Sequence, residues 1–190
     1  MQSMLKGIFF NIFLNYLRKN NYEQVIENFS QITGKSLKYV DFFDYSIEEY
    51  IILMEEMAKQ IFPDKTKEAA YYELGKITAI AVLNTSMAKV GIAYAKRNIR
   101  GALKNLPFYF YQFAKMKEVS VKQLDQNRYK IMFKGWPIYP DSEHGLFNFI
   151  VKQLDPKINL KFEVISLENL GHGKIRTDFS FTVELPESKE

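Results

Sequence analysis

The chain has 190 residues, with 26 Lys and Arg against 22 Asp and Glu, two His and no Cys. The absence of Cys excludes disulfides and thiolate metal sites, and the near absence of His removes the usual partners of nucleophilic and metal chemistry. The 47% hydrophobic content excludes disorder, and a net charge of +4 permits contact with phosphate or anionic lipid without demanding it.

Residues 5–19 carry Leu5, Phe9, Ile12, Phe13, Tyr16 and Leu17 at helical spacing, and Asn20-Asn21 breaks the pattern. The stretch Met4–Leu14 has no charged run before its apolar part and no small-residue cleavage site after it, so an amphipathic helix is expected rather than a signal peptide. A second helix is predicted from Tyr22 to Ile32, closed by Gly34. Residues 35–45 read as extended or irregular and hold Tyr39, Phe42, Phe43 and Tyr45. Ser46 followed by Glu49 forms a capping box, opening a helix that buries Tyr50, Ile51, Met54, Met57, Ala58 and Ile61 and ends at Pro63. Its carboxylates, Glu48-Glu49 and Glu55-Glu56, are expected to face water.

Asp64 or Thr66 starts the longest helix, in which Leu74, Gly75, Ile77, Ala79 and Ala81 predict close packing and Asn84-Thr85-Ser86 an interruption. Asn98 caps a short helix over 99–105, and Pro107 stands in the first turn of another over 107–114. Beyond Lys117, Val119 and Val121, then Tyr129, Ile131 and Phe133, alternate with polar residues around Asp125-Gln126-Asn127, which predicts a hairpin. Ser142 or Asp141 is expected to cap a helix near 143–153. Two strands, about 160–167 and 175–184, follow, joined through Asn169–Gly173, with 186–190 as a frayed tail.

The expected fold is α+β: an N-terminal helical part packed on a C-terminal antiparallel sheet of about four strands with one intervening helix. One domain is expected over residues 1–190, mainly helical over 1–116 and hairpin-helix-hairpin over 117–185. No run reaches the roughly 18 apolar residues of a transmembrane helix, and a cytoplasmic location is expected.

Candidate chemistry is sparse. His144 lies near Asp141 and Glu143, and His172 lies between two glycines; both read as structural histidines. No metal and no cofactor are expected, and the chain reads as a non-enzyme. The 29 aromatic residues suggest an apolar cavity instead, with Phe9, Phe13, Tyr72, Phe108, Phe110, Trp136 and Tyr139 as its wall. Lys89, Lys96, Arg97, Arg100 and Lys104 form a basic stretch, of which Lys96, Arg97 and Arg100 are candidates for an anionic headgroup or an acidic partner. Nucleic acid is disfavoured, because no recognised binding signature accompanies the pI of 9.0.

Lys6-Gly7-x-Phe9-Phe10, Ile61-Phe62-Pro63-Asp64, Ala69-Ala70 with Leu74-Gly75, and Leu106-Pro107 with Arg128-Tyr129 resemble an uncharacterised single-domain family expanded in myxobacteria. The layout also resembles a wider fold group of haem-nitric-oxide-binding, vinyl-reductase-type and TRAPP-subunit domains. That resemblance implies an apolar cavity between helices and sheet. In the haem branch a Tyr-x-Ser-x-Arg motif holds the propionates; this chain reads Tyr139-Pro140-Asp141-Ser142-Glu143, and residues 95–112 lack the histidine that would ligate iron. Two functions follow as expectations. The first is a ligand-binding or sensory domain holding a hydrophobic small molecule. The second is a protein-interaction module, a homodimer or scaffold without a ligand.

Overall fold

A computed structural model describes residues 3–115, 118–171 and 174–186. The first three of these residues after Ser3 are not helical: Met4–Lys6 form strand β1, and the helix α1 runs only over Gly7–Lys19. β1 pairs antiparallel with β2 (Asp44–Ser46) on one side and with β3 (Ala114–Lys115) on the other. The predicted start of the first helix at Leu5 is therefore corrected. Leu5 is buried as strand residues alternate, and its apolar character served both readings.

Helix α2 spans Glu23–Thr33 and closes on Gly34 at φ 63°, as the sequence signal predicted. Ser46 caps α3 (Ile47–Ile61) by accepting from Glu48 N–H. The carboxylates of α3 do not all face water: Glu56 is buried and bonded to Lys59 and Asn28. Thr66 caps α4 (Lys67–Leu83), and Thr85 caps α5 (Ser86–Arg97), so the expected interruption at 84–86 is a full break. The two helices meet at a 93° bend. Asn98 then caps α6 (Ile99–Lys104), and Pro107 occupies the first turn of α7 (Leu106–Phe113).

The second half forms a four-stranded antiparallel sheet. Strands β4 (Val119–Gln123) and β5 (Arg128–Trp136) make the predicted hairpin. Helix α8 (Pro140–Leu154) follows, then β6 (Asn159–Gly171) and β7 (Lys174–Glu184). The order is β4-β5-β7-β6. Two boundaries differ from expectation. α8 starts at Pro140, whose fixed φ suits the first turn, so Asp141 and Ser142 are helical residues rather than caps. β6 extends through Asn169, Leu170 and Gly171, which were expected in the connection; His172 and Gly173 lie outside the described residues.

One face of the sheet is aromatic. Phe133 stacks on Phe179 across the β5–β7 ladder at 4.6 Å, and Phe147 from α8 meets Phe181 at 4.7 Å. Phe110 of α7 lies parallel to Phe147 at 5.7 Å. A second aromatic group, Phe10, Tyr39, Tyr45 and Tyr50, joins α1, α3 and the segment between α2 and β2. α4 and α8 lie between the two, packed on each other.

Candidate functional site

The end of β5 and the start of α8 bring an acid into the interior. The β5–β7 register shifts between Phe133 and Trp136, and Gly135 sits there at φ 62° with its N–H donated to Asp178 Oδ1 at 2.7 Å. This irregularity turns Trp136 inward, 1% exposed. Pro140 starts α8 four residues later and carries Glu143 to the buried side of its first turn.

Glu143 is the least expected residue in the core. Burial pushes its carboxyl up to about 7, an effect only partly offset by the facing Trp136 indole. Neither Glu143 Oε2 nor Trp136 Nε1 completes a hydrogen bond. Buried polar atoms without partners are uncommon in folded proteins and call for an explanation. Tyr50 of α3 faces the same acid: burial raises its pKa first, the Thr78 hydroxyl lowers it, and the Glu143 charge raises it further. Thr78 in turn donates to the Leu74 carbonyl at 3.0 Å. Tyr50, Thr78, Glu143 and Trp136 thus form a polar seam between the two aromatic groups.

The expected wall residues divide around this seam. Phe13 stacks on Tyr50 at 5.4 Å and Phe9 meets the same ring edge-on, on the helical side. Phe110 lies 6.1 Å from Trp136 on the sheet side. Tyr72 and Tyr139 stand apart from it. The Tyr72 hydroxyl accepts from Asn148 Nδ2 at 2.6 Å, and its ring faces His144 at 5.0 Å. Tyr139 contacts Tyr71 at 4.9 Å, with Lys67 Nζ 3.9 Å above its ring. Phe108 is 62% exposed, with its ring edge-on to Tyr109 at 5.8 Å. His144 stacks on Phe162 at 4.4 Å, and burial lowers its pKa, as a structural histidine's would be.

The basic residues lie elsewhere. Asn98 separates α5 from α6, so Lys96, Arg100 and Lys104 do not share one continuous helix face. Lys96 and Arg100 nevertheless border a common open hollow of about 350 Å³, floored by Ala95, Ile99, Leu154 and Ile158. Arg100 is held there by Asn127 Oδ1 at 2.8 Å, whereas Arg97 is exposed beyond the rim. Among the described residues no group of His, Cys, Asp and Glu could hold a metal ion.

The sequence pairs Asp141 with Glu143 beside Trp136 and Tyr139 but shows no raised pKa there, whereas burial raises that of Glu143; it places Tyr50 on the buried side of its helix and does not single out Thr78. One signal for Glu143 was available. It falls at helical spacing with Phe147, Val151 and Leu154, whereas the apolar face expected from the sequence is Leu146, Phe147, Phe149, Ile150 and Leu154.

The fold is that of H-NOX domains. A mutant H-NOX of T. tengcongensis is similar at TM-score 0.65 and 15% identity, over 96% of this chain and 99% of that one. An oxygen-binding H-NOX domain related to soluble guanylate cyclases is similar at TM-score 0.63 and 14% identity, over 98% of this chain and all of the other. An H-NOX structure from work on haem distortion is similar at TM-score 0.66 and 13% identity, with the same coverage. No curated protein matches the sequence. Residues 1–168 match the family described as protein of unknown function DUF2378, and the chain belongs to that family.

Proposed function

We propose that this chain is a non-enzymatic ligand-binding or sensory domain, which takes a hydrophobic small molecule bearing one hydrogen-bonding group at the seam beside Glu143. The observation that carries the reading is that Glu143 Oε2 and Trp136 Nε1, buried and facing each other between two aromatic groups, complete no hydrogen bond of good geometry. A neutral acid there both donates and accepts, and an indole N–H donates, so a ligand carbonyl or hydroxyl would satisfy them. The H-NOX-like fold supports a binding role by analogy of architecture. Phe9, Phe13, Phe110 and Trp136 flank the seam, and Phe110, only half-buried, is the ring whose rotation would open it.

H-NOX domains carry haem, but the residues here do not fit that group. Residues 86–113 contain no histidine. His144 is held between Tyr72 and Phe162. Glu143 stands where the resemblance implies a propionate-binding arginine, and a carboxyl group, neutral or ionised, supplies no positive charge to pair with a propionate.

Native mass spectrometry with an absorbance scan tests the reading. The expected result is a small molecule that leaves on denaturation and is lost from the Phe110→Ala and Glu143→Leu variants. A clean apo mass in the native protein, or a ligand indifferent to both substitutions, overturns it.

A second reading, a homodimer, is favoured by one observation. β6 is a sheet edge, and Val164, Ile165, Leu167 and Leu170 on it are each 45–50% exposed. Unpaired edges of this kind recruit another strand. Dimer peaks in the same spectrum that disappear with Ile165→Lys would support it, and a monomer at all concentrations would exclude it.

A further inference from the structure

Between Glu73 and Glu118 the chain has no Asp or Glu and carries eight Lys and Arg. Because the whole chain is only +4, the remainder is net negative, at −4. Five of the eight lie on α5 and α6, beside the uncharged and aromatic α7. The same helices expose apolar side chains that the core does not use. Val90 is 71% exposed, Phe108 62% and Tyr111 64%. On α5 the spacing of Val90, Tyr94 and Arg97 gives them one face, and Lys89, Ala93 and Lys96 the adjoining one. α6 packs against both α5 and α7, so the charged and aromatic side chains belong to one corner of the molecule.

We infer that this corner docks on the surface of an anionic phospholipid bilayer. Three observations choose that partner. Cations beside exposed Tyr and Phe match the headgroup layer, where amphipathic rings settle and each Lys or Arg is drawn to acidic lipid. The most exposed apolar residue of the corner, Val90, has no use against phosphates or bases but suits the acyl boundary. Among the described residues no single helix is long and apolar enough to cross a membrane, and α4 with α5, which would be so together, are bent by 93°. Lys96 and Arg100 also rim the hollow described above, together with one carboxylate, Asp155, so two cations face one acid beside the docking face.

Co-sedimentation with vesicles tests this, using the full chain and vesicles of phosphatidylglycerol in phosphatidylcholine against phosphatidylcholine alone. The chain is expected to pellet with the anionic vesicles only, and less so at high salt. Lys96→Glu with Arg97→Glu should cut partitioning by roughly tenfold or more, and Val90→Ser with Phe108→Ser should weaken it at unchanged melting temperature, since all four side chains are exposed. Equal binding to neutral vesicles, no binding to either, or indifference to both double variants overturns the inference. So does an oligonucleotide or a polyglutamate peptide that is retained while anionic vesicles are not, since either would make the corner a site for another polyanion.

Discussion

Gly75 of α4 lies directly against the backbone carbonyl of Ser142 on α8, and a Cβ at position 75 would overlap that oxygen. The contact is repeated one turn along, where Gly145 of α8 meets the Tyr72 carbonyl in the same way. The two glycines let the helices approach backbone to backbone. That approach sets the depth to which the first turn of α8, and Glu143 with it, is driven into the core.

Gly75→Ala and Gly145→Ala are therefore expected to destabilise the fold by about 1–3 kcal/mol each, because backbone cannot rotate out of the way. Gly91 is the control. Nothing lies within 4 Å of a Cβ there, so Gly91→Ala in the exposed α5 should stabilise by about 0.5–1 kcal/mol. Thermal melting of the three variants measures all of this; a neutral Gly75→Ala would mean that α4 and α8 are not in contact.

Glu143 predicts a pH dependence. Its carboxyl is raised to about 7 in the folded state, so between the ordinary carboxylate range and pH 7 the folded chain holds a proton that the unfolded chain releases. Stability is full below the unfolded value and falls as pH rises through the folded one, by about 3 kcal/mol in total. Glu143→Gln keeps the shape without the charge. It should remove this slope and leave the variant more stable than the parent at pH 8. Denaturant melts at pH 5 and pH 8 decide it, and parallel slopes in the two proteins would refute the burial of an ionisable acid.

Phe133 is the hub of the sheet's aromatic face, with Phe110, Trp136, Phe147 and Phe179 all around it. It is fully buried. Phe133→Ala should cost about 3–5 kcal/mol, while Phe133→Leu should recover much of that. Urea unfolding followed by Trp136 fluorescence reports both stability and the loss of ring packing.

Thr66 accepts from Ala69 N–H at 3.3 Å and opens the central helix. Thr66→Ala is expected to cost about 1 kcal/mol and Thr66→Ser or Asp much less. A circular-dichroism melt that ranks Ala with Ser and Asp would show that this cap contributes nothing.

Local chemistry made much of the architecture legible. Gly34, Ser46, Thr66, Asn98 and Pro107 mark helix ends through their own backbone preferences, and each stands at such an end. Alternation in 119–133 marked a hairpin for the same reason. The three-residue strands β1 and β2 were not legible. They are too short for a period, and β1 exists because strands distant in sequence, at 44–46 and 114–115, pair with it.

The candidate site divides along the same line. The sequence by itself determined that the chain has no thiol chemistry, that it is rich in rings, and that eight of its 26 Lys and Arg fall in one acid-free segment. Only the tertiary structure decided what those residues do. It packed most of the rings into a core, left Phe108 in water, split Tyr72 and Tyr139 from Phe110 and Trp136, and buried Glu143 against Trp136 with Oε2 completing no hydrogen bond. The physical reason is that burial and pairing depend on which helix faces which. That choice is made by close backbone contacts such as Gly75 on Ser142, which no local pattern records.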